Sequence, residues 1–115
     1  MKATFEKNGP LDVITLEGRL DASSAPKLRE KLDEILDAGR VHLIFDLKGV
    51  DFVDSSGLSV FVNALQGARR AGGEVSIASP TSEVQSVLQL TRLHKILPIH
   101  EDRAGAEASM GVLAA

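Results

Sequence analysis

Four consecutive residues, Asp54-Ser55-Ser56-Gly57, bring together a carboxylate, two hydroxyls and a backbone without a side chain. A serine beside a carboxylate supports two kinds of chemistry. Its oxygen can cap a helix by accepting a hydrogen bond from a free amide, or its hydroxyl can stand displayed for covalent modification. The flanking sequence places the tetrapeptide without deciding between them. Before it, Val41-His42-Leu43-Ile44-Phe45-Asp46-Leu47 reads as a buried strand of the parallel-sheet kind. After it, Leu58, Phe61, Val62 and Leu65 recur at helical spacing and form one apolar stripe. The tetrapeptide thus sits where a strand hands over to a helix N-terminus. Asp54 or Ser55 is placed to cap the first amides, and Gly57 permits close approach to the first turn.

Other chemistries fit less well. A serine hydrolase would frame its nucleophile as Gly-x-Ser-x-Gly with His and acid partners, and Ser55 lacks that frame. Asp46 closes a buried strand as a phospho-accepting aspartate would. Such a site needs further carboxylates at the first strand's end to hold magnesium, and Lys7-Asn8-Gly9 supplies none. There is no Walker A loop and no Gly-x-Gly-x-x-Gly fingerprint. His42, His94 and His100 lack ligand-like spacing and read as surface or edge histidines, and no metal or other cofactor is expected.

Composition narrows the class further. With 13 basic against 16 acidic side chains, the net charge of −3 argues against a nucleic-acid face. The only aromatics are Phe5, Phe45, Phe52 and Phe61, too few to spare for a base-stacking platform. Cysteine is absent, and no apolar run approaches membrane-spanning length. A soluble, cytoplasmic domain with no membrane partner is the expectation.

The elements that must hold the tetrapeptide follow from the alternation and the turn residues. Thr4–Lys7 and Asp12–Glu17 alternate as half-buried strands around Asn8-Gly9-Pro10. An Asn-Gly two-residue turn would need an amide from Pro10, which has none, so a longer loop is expected. Gly18-Arg19-Leu20-Asp21 leaves the second strand. Ser23-Ser24-Ala25-Pro26 opens a helix with the stripe Leu28, Leu32, Ile35, Leu36 and an end at Gly39. The central helix ends near Ala71-Gly72-Gly73, and Glu74–Ala78 alternates as a strand. Ser82 and Gln85 have capping-box spacing before a stripe of Val84, Val87 and Leu88. Ile96-Leu97-Pro98-Ile99 is a Pro-broken edge strand, and residues 102–115 read as a weak helix or flexible tail.

The 115 residues therefore form one α/β domain, with its core over about residues 4–101. Phe5, Ile14, Leu16, Leu43, Phe45, Leu47, Val75 and Ile77 share one sheet face. Thr4, Glu6, Thr15, Glu17, His42, Asp46, Glu74 and Ser76 occupy the other. This one-sided pattern predicts a mixed, mostly parallel sheet with the three main helices on one face and much of the other left wet. The loops Gly18–Ser24, Lys48–Ser55 and Ser79–Ser82 would then leave at the strands' carboxyl edge, which brings Asp21 near Ser55.

Gly18-Arg19-Leu20-Asp21, the strand ending Asp46-Leu47, and Asp51-Phe52-Val53-Asp54-Ser55-Ser56-Gly57-Leu58 together resemble the STAS domain family, in particular the bacterial anti-sigma factor antagonists. The resemblance implies a partner switch, not an enzyme. In that family the unmodified domain binds an anti-sigma factor that is also a serine kinase. Phosphorylation of the serine after the Asp releases it, and a serine phosphatase resets the cycle. Carried to this chain, Ser55 is the acceptor, surrounded by Asp21, Ser23, Asp51, Asp54, Ser56 and Gly57. The same fold also serves as a scaffold subunit or as a soluble partner of lipid transporters, which is the alternative reading. One departure stands out: family members often have Gly after the third helix, where this chain has Arg92. Arg92 is therefore predicted to take a positive φ.

Overall fold

The computed structural model describes residues 1–114, with side chains through Gly111. Five strands, β1 (Lys2–Asn8), β2 (Leu11–Leu20), β3 (His42–Val53), β4 (Glu74–Ala78) and β5 (Ile99–His100), form one sheet in the order of the chain. β1 runs antiparallel to β2, and every later neighbour is parallel. The hairpin is tighter than expected. Asn8 pairs with Leu11, so the turn residues are Gly9 and Pro10, not Asn8 and Gly9. Gly9 takes φ +60° and Pro10 follows where its fixed φ fits and its missing amide costs nothing.

Helices α1 (Ala25–Asp37), α2 (Ser55–Arg70) and α3 (Ser82–Leu90) cover one sheet face, as the alternation predicts. Leu28, Leu32 and Ile35 of α1, Phe61 and Leu65 of α2, and Val84 and Leu88 of α3 bury against Ile14, Leu16, Leu43, Phe45, Leu47, Val75 and Ile77. Phe5 is half-buried at the rim of this core. The Phe45 and Phe61 rings meet with centroids 5.0 Å apart, inclined by 60°. Along α2 the buried stripe is Val60, Phe61, Ala64, Leu65 and Ala68, whereas Leu58 and Val62 are only half-buried. Arg69 and Arg70 complement the α2 C-terminus.

The opposite face departs from the expectation. Residues 103–114 form a helix, α4 (Arg103–Ala114), and not a tail. Asp102 caps it, its carboxylate accepting the Gly105 amide at 2.8 Å. Ala106 and Met110, one turn apart, seat on Leu11, Val13, Ile44 and Ala78. Arg103 ties α4 to Glu6 of β1 at 2.7 Å. Ser76 lies on this face, fully buried, and its hydroxyl finds no partner among the described residues. Thr15 is half-buried and Glu17 exposed, so the far half of the face does stay wet.

The strands that carry the candidate site are also longer than the alternation indicates. β3 does not end at Leu47 but runs to Val53, and β2 runs to Leu20. Two register shifts in their pairing each give β3 an extra residue: Thr15 and Glu17 pair with Asp46 and Gly49, and Gly18 and Arg19 pair with Val50 and Phe52. Such bulges bend and twist the strand. They also move its inward positions to Leu47, Val50 and Val53, three residues apart. Asp46, which is buried, serves the first bulge, since its carboxylate accepts the Lys48 amide at 3.1 Å.

Candidate functional site

The site is assembled where the extended ends of β2 and β3 meet α2. The Asp54 amide donates to the Leu20 carbonyl at 3.2 Å, so the residue before Ser55 is bonded to the residue before Asp21. The two segments, separated widely in sequence, therefore do converge at one edge. Asp54 has extended backbone, φ −107° and ψ −171°, and its side chain caps α2. One carboxylate oxygen accepts from the Ser56 amide at 2.9 Å and from the Gly57 amide at 3.2 Å. Of the two capping candidates, Asp54 is the one used.

That leaves Ser55 exposed at the first helical position, with its carbonyl accepting the Ser59 hydroxyl at 2.9 Å. Ser56 is half-buried. Gly57 is buried, and the close approach it permits is internal. A Cβ there would lie 2.7 Å from Leu20 Cγ and 2.8 Å from the Leu20 carbonyl oxygen. The missing side chain lets the first turn of α2 press onto the end of β2.

Asp21 organises the β2–α1 connection. One of its carboxylate oxygens accepts the Ser23 hydroxyl at 2.6 Å, the Ser23 amide at 3.0 Å and the Ser24 amide at 3.3 Å. The Ser24 hydroxyl bridges back, donating to the Arg19 carbonyl and accepting the Asp21 amide. The Ser23 hydroxyl above all holds the Asp21 carboxyl below the ordinary carboxylate range. Partial burial opposes it, and the Ser23 and Ser24 amides and the Arg19 guanidinium add to it.

Asp51 is the extra residue of the second β3 bulge and is exposed. Beside it the Arg19 guanidinium stacks 4.0 Å from the centroid of the Phe52 ring, a cation–π pair at the surface. Two features of this edge escaped the sequence. One is that stacked pair. The other is Arg29, which together with Ala22, Ala25, Pro26, Ser56, Ser59 and Val60 lines a hollow of about 340 Å³ between α1 and α2. Arg29 reads as one of many charges on a solvated helix face, and only the packing of α1 beside α2 brings it to the serines.

The STAS domain family model matches residues 2–106 of this chain. The chain belongs to the STAS domain family. The anti-sigma F factor antagonist of Paenibacillus polymyxa is 28% identical over 102 residues, covering 88% of this chain and 87% of that protein. Among solved structures, a candidate anti-sigma factor antagonist of Thermotoga maritima superposes with a TM-score of 0.90 at 25% identity, covering 95% of this STAS domain and 94% of that chain. The Bacillus cell-fate determinant SpoIIAA in its phosphorylated form shares the fold, with a TM-score of 0.75 at 19% identity, covering 94% and 99% of the two chains.

The departure noted for this STAS domain is also visible. Arg92 follows α3 with φ +62° and ψ +16°, the left-handed conformation predicted for it. Ser79, after β4, shares that conformation at φ +53°, and nothing in its local sequence announced it. At the start of α3 the cap is Thr81, whose hydroxyl oxygen accepts the Val84 amide, and not Ser82 in a box with Gln85. Leu97 is buried and Pro98 precedes β5, so the edge strand begins one residue past the proline.

Proposed function

We propose that this STAS domain is an anti-sigma factor antagonist whose hold on an anti-sigma factor is released by phosphorylation of Ser55. The observation that carries the reading is the division of labour at the α2 N-terminus. Asp54 takes the capping role with its carboxylate, and Ser55 is left exposed beside it.

That arrangement fixes what a phosphate would do. A phosphoserine adds about −1.5 to −2 charges at pH 7. A helix N-terminus normally welcomes such a group through its free amides and dipole, for about 0.3–1 kcal/mol. Here the Ser56 and Gly57 amides already serve Asp54. The phosphate would thus stay solvent-facing beside the Asp54 carboxylate, with little reason to refold the domain. Its effect falls on whatever docks there. Burying an unpaired dianion costs several kcal/mol, and each 1.4 kcal/mol is tenfold in affinity. The partner is an anti-sigma factor that transfers the phosphoryl group from ATP to Ser55 Oγ, and a serine phosphatase removes it. Asp21, Ser23, Asp51, Ser56 and Gly57 shape the edge around the acceptor.

A pull-down from native lysate with wild type and Ser55→Glu side by side tests the reading. Wild type is expected to retain a protein with an ATP-binding kinase fold that Ser55→Glu loses. Equal retention by both would overturn the switch.

A further inference from the structure

The two edges of the sheet are finished differently. β5 is two residues long and follows Pro98, so it offers almost nothing for another strand to pair with. β1 is seven residues long, pairs with β2 in unbroken register, and contains no proline. No strand among the described residues pairs with its outer side. Such an edge is a template for further pairing unless it is blunted.

The hairpin determines which groups that edge presents. Asn8 and Leu11 flank a two-residue turn and so exchange both backbone hydrogen bonds. Counting back, Lys2, Thr4 and Glu6 turn their amides and carbonyls toward β2, and Ala3, Phe5 and Lys7 turn theirs outward. We propose that a second copy of this chain adds to the sheet through β1, antiparallel, with Thr4 on the twofold axis.

This register satisfies the backbone, since Ala3 and Phe5 of the two copies become hydrogen-bonded pairs. It also sets Lys2 of each copy opposite Glu6 of the other, two complementary charge pairs from one strand. Parallel in-register pairing would instead stack Lys2 on Lys2 and Glu6 on Glu6. Shifting the antiparallel register by one pair, to centre it on Phe5, puts Glu6 opposite Thr4 and Lys2 opposite Asn8, and both charge pairs vanish. The side chains agree with the twofold arrangement. Ala3 and Phe5 face an open groove of about 620 Å³ against Leu28 and Lys31 of α1, and Phe5 is only half-buried there. In the dimer a large Phe5 meets a small Ala3 across the axis, twice. The contact is isologous and closes on itself, giving a dimer and not a fibre. It is independent of Ser55, which lies beyond β2 at the end of β3.

Sedimentation velocity of the full chain from about 1 to 500 µM tests it, spanning the range in which weak dimers dissociate. The mass is expected to move from 12.2 kDa toward twice that value. Lys2→Glu should weaken the dimer on the order of tenfold by setting like charges opposite each other twice, and adding Glu6→Lys should restore it. Ala3→Pro removes an outward amide only, so it should abolish the dimer and leave the β1–β2 pairing intact. Far-UV spectra and melts of each variant confirm that the monomer still folds, because Glu6 also pairs with Arg103. A monomer across the whole range, a dimer indifferent to Lys2→Glu and Ala3→Pro, or a double variant that fails to recover would overturn the proposal.

Discussion

The N-termini of α2 and α3 begin alike and end up with different exposure to a partner. Each follows a parallel strand, each is capped by the side chain before it, and each has an exposed serine first, Ser55 after Asp54 and Ser82 after Thr81. The difference lies in what anchors them. Thr81 is tied down to the sheet, its hydroxyl donating to the Val50 carbonyl at 3.1 Å. Ser82 has an acid beside it, Glu83. Ala78, the last residue of β4, pairs with Asp46, and from there β3 climbs through two bulges to Val53 before α2 begins. Ser55 therefore starts a helix raised on the β2–β3 extension, flanked by exposed Asp51 and Phe52. An exposed serine after a cap is ordinary. A cap carried out to the rim of the sheet on two lengthened strands is what sets Ser55, the acceptor proposed above, apart from Ser82.

Gly57→Ala strikes at the packing that raises α2 and should have the largest effect. The new Cβ would meet the Leu20 carbonyl, which is backbone and cannot step aside. A loss of about 1–3 kcal/mol is expected in urea unfolding, and an unchanged midpoint would mean that α2 does not depend on that contact.

Cap removal compares the two helices directly. Asp54→Ala leaves two amides without their carboxylate, and Thr81→Ala leaves the Val84 amide and the Val50 carbonyl without their hydroxyl. Each should cost about 0.5–2 kcal/mol, with Asp54→Ala the costlier because its lost bonds are charge-assisted. Equal midpoints would erase the distinction between the termini. At the other end of α3, Arg92→Gly should relieve the left-handed backbone and stabilise by roughly 0.5–1 kcal/mol in a thermal melt.

The smallest effect is electrostatic. The Asp21 carboxyl is held below its ordinary range, so its ionised form is favoured by folding. That contribution is fully present above the ordinary carboxylate range and is lost as pH falls through the lowered value. The stability of Asp21→Asn should accordingly fall less steeply on acidification than that of wild type, as read from melts across that window. Parallel pH profiles would show that the Ser23 contact does not matter to the fold.

Much of this comparison is legible in the residues themselves. The face shared by Ile14, Leu16, Phe45 and Ile77 shows in strict alternation, and Asp54 and Ser55 before a helical stripe announce a cap at one of the two. The rise of β3 does not show, because bulges space Leu47, Val50 and Val53 three apart, a period that matches neither strand nor helix. Lys48–Val53 therefore reads as loop. α4 shows in the sequence only as a weak helix, for a different reason. Among the described side chains, its seat rests on Ala106 and Met110 against small and medium apolar residues of the sheet, and Gly105 lowers its intrinsic propensity. Its helix is set by the surface it covers, and with it the burial of Ser76. The role of Asp21 was visible only as proximity. That its carboxylate is spent on Ser23 and Ser24 needs the folded loop.

Under the proposed function Ser55, and not its counterpart Ser82, carries the switch. The direct test is to incubate the protein with the anti-sigma kinase proposed as its partner and ATP, map the phosphate by mass spectrometry and measure affinity before and after. One phosphate is expected, on Ser55, with affinity lowered at least about a hundredfold and with Ser55→Ala unmodified and persistently bound. A phosphate on Ser82 or elsewhere, or undiminished affinity with Ser55 fully modified, would contradict it.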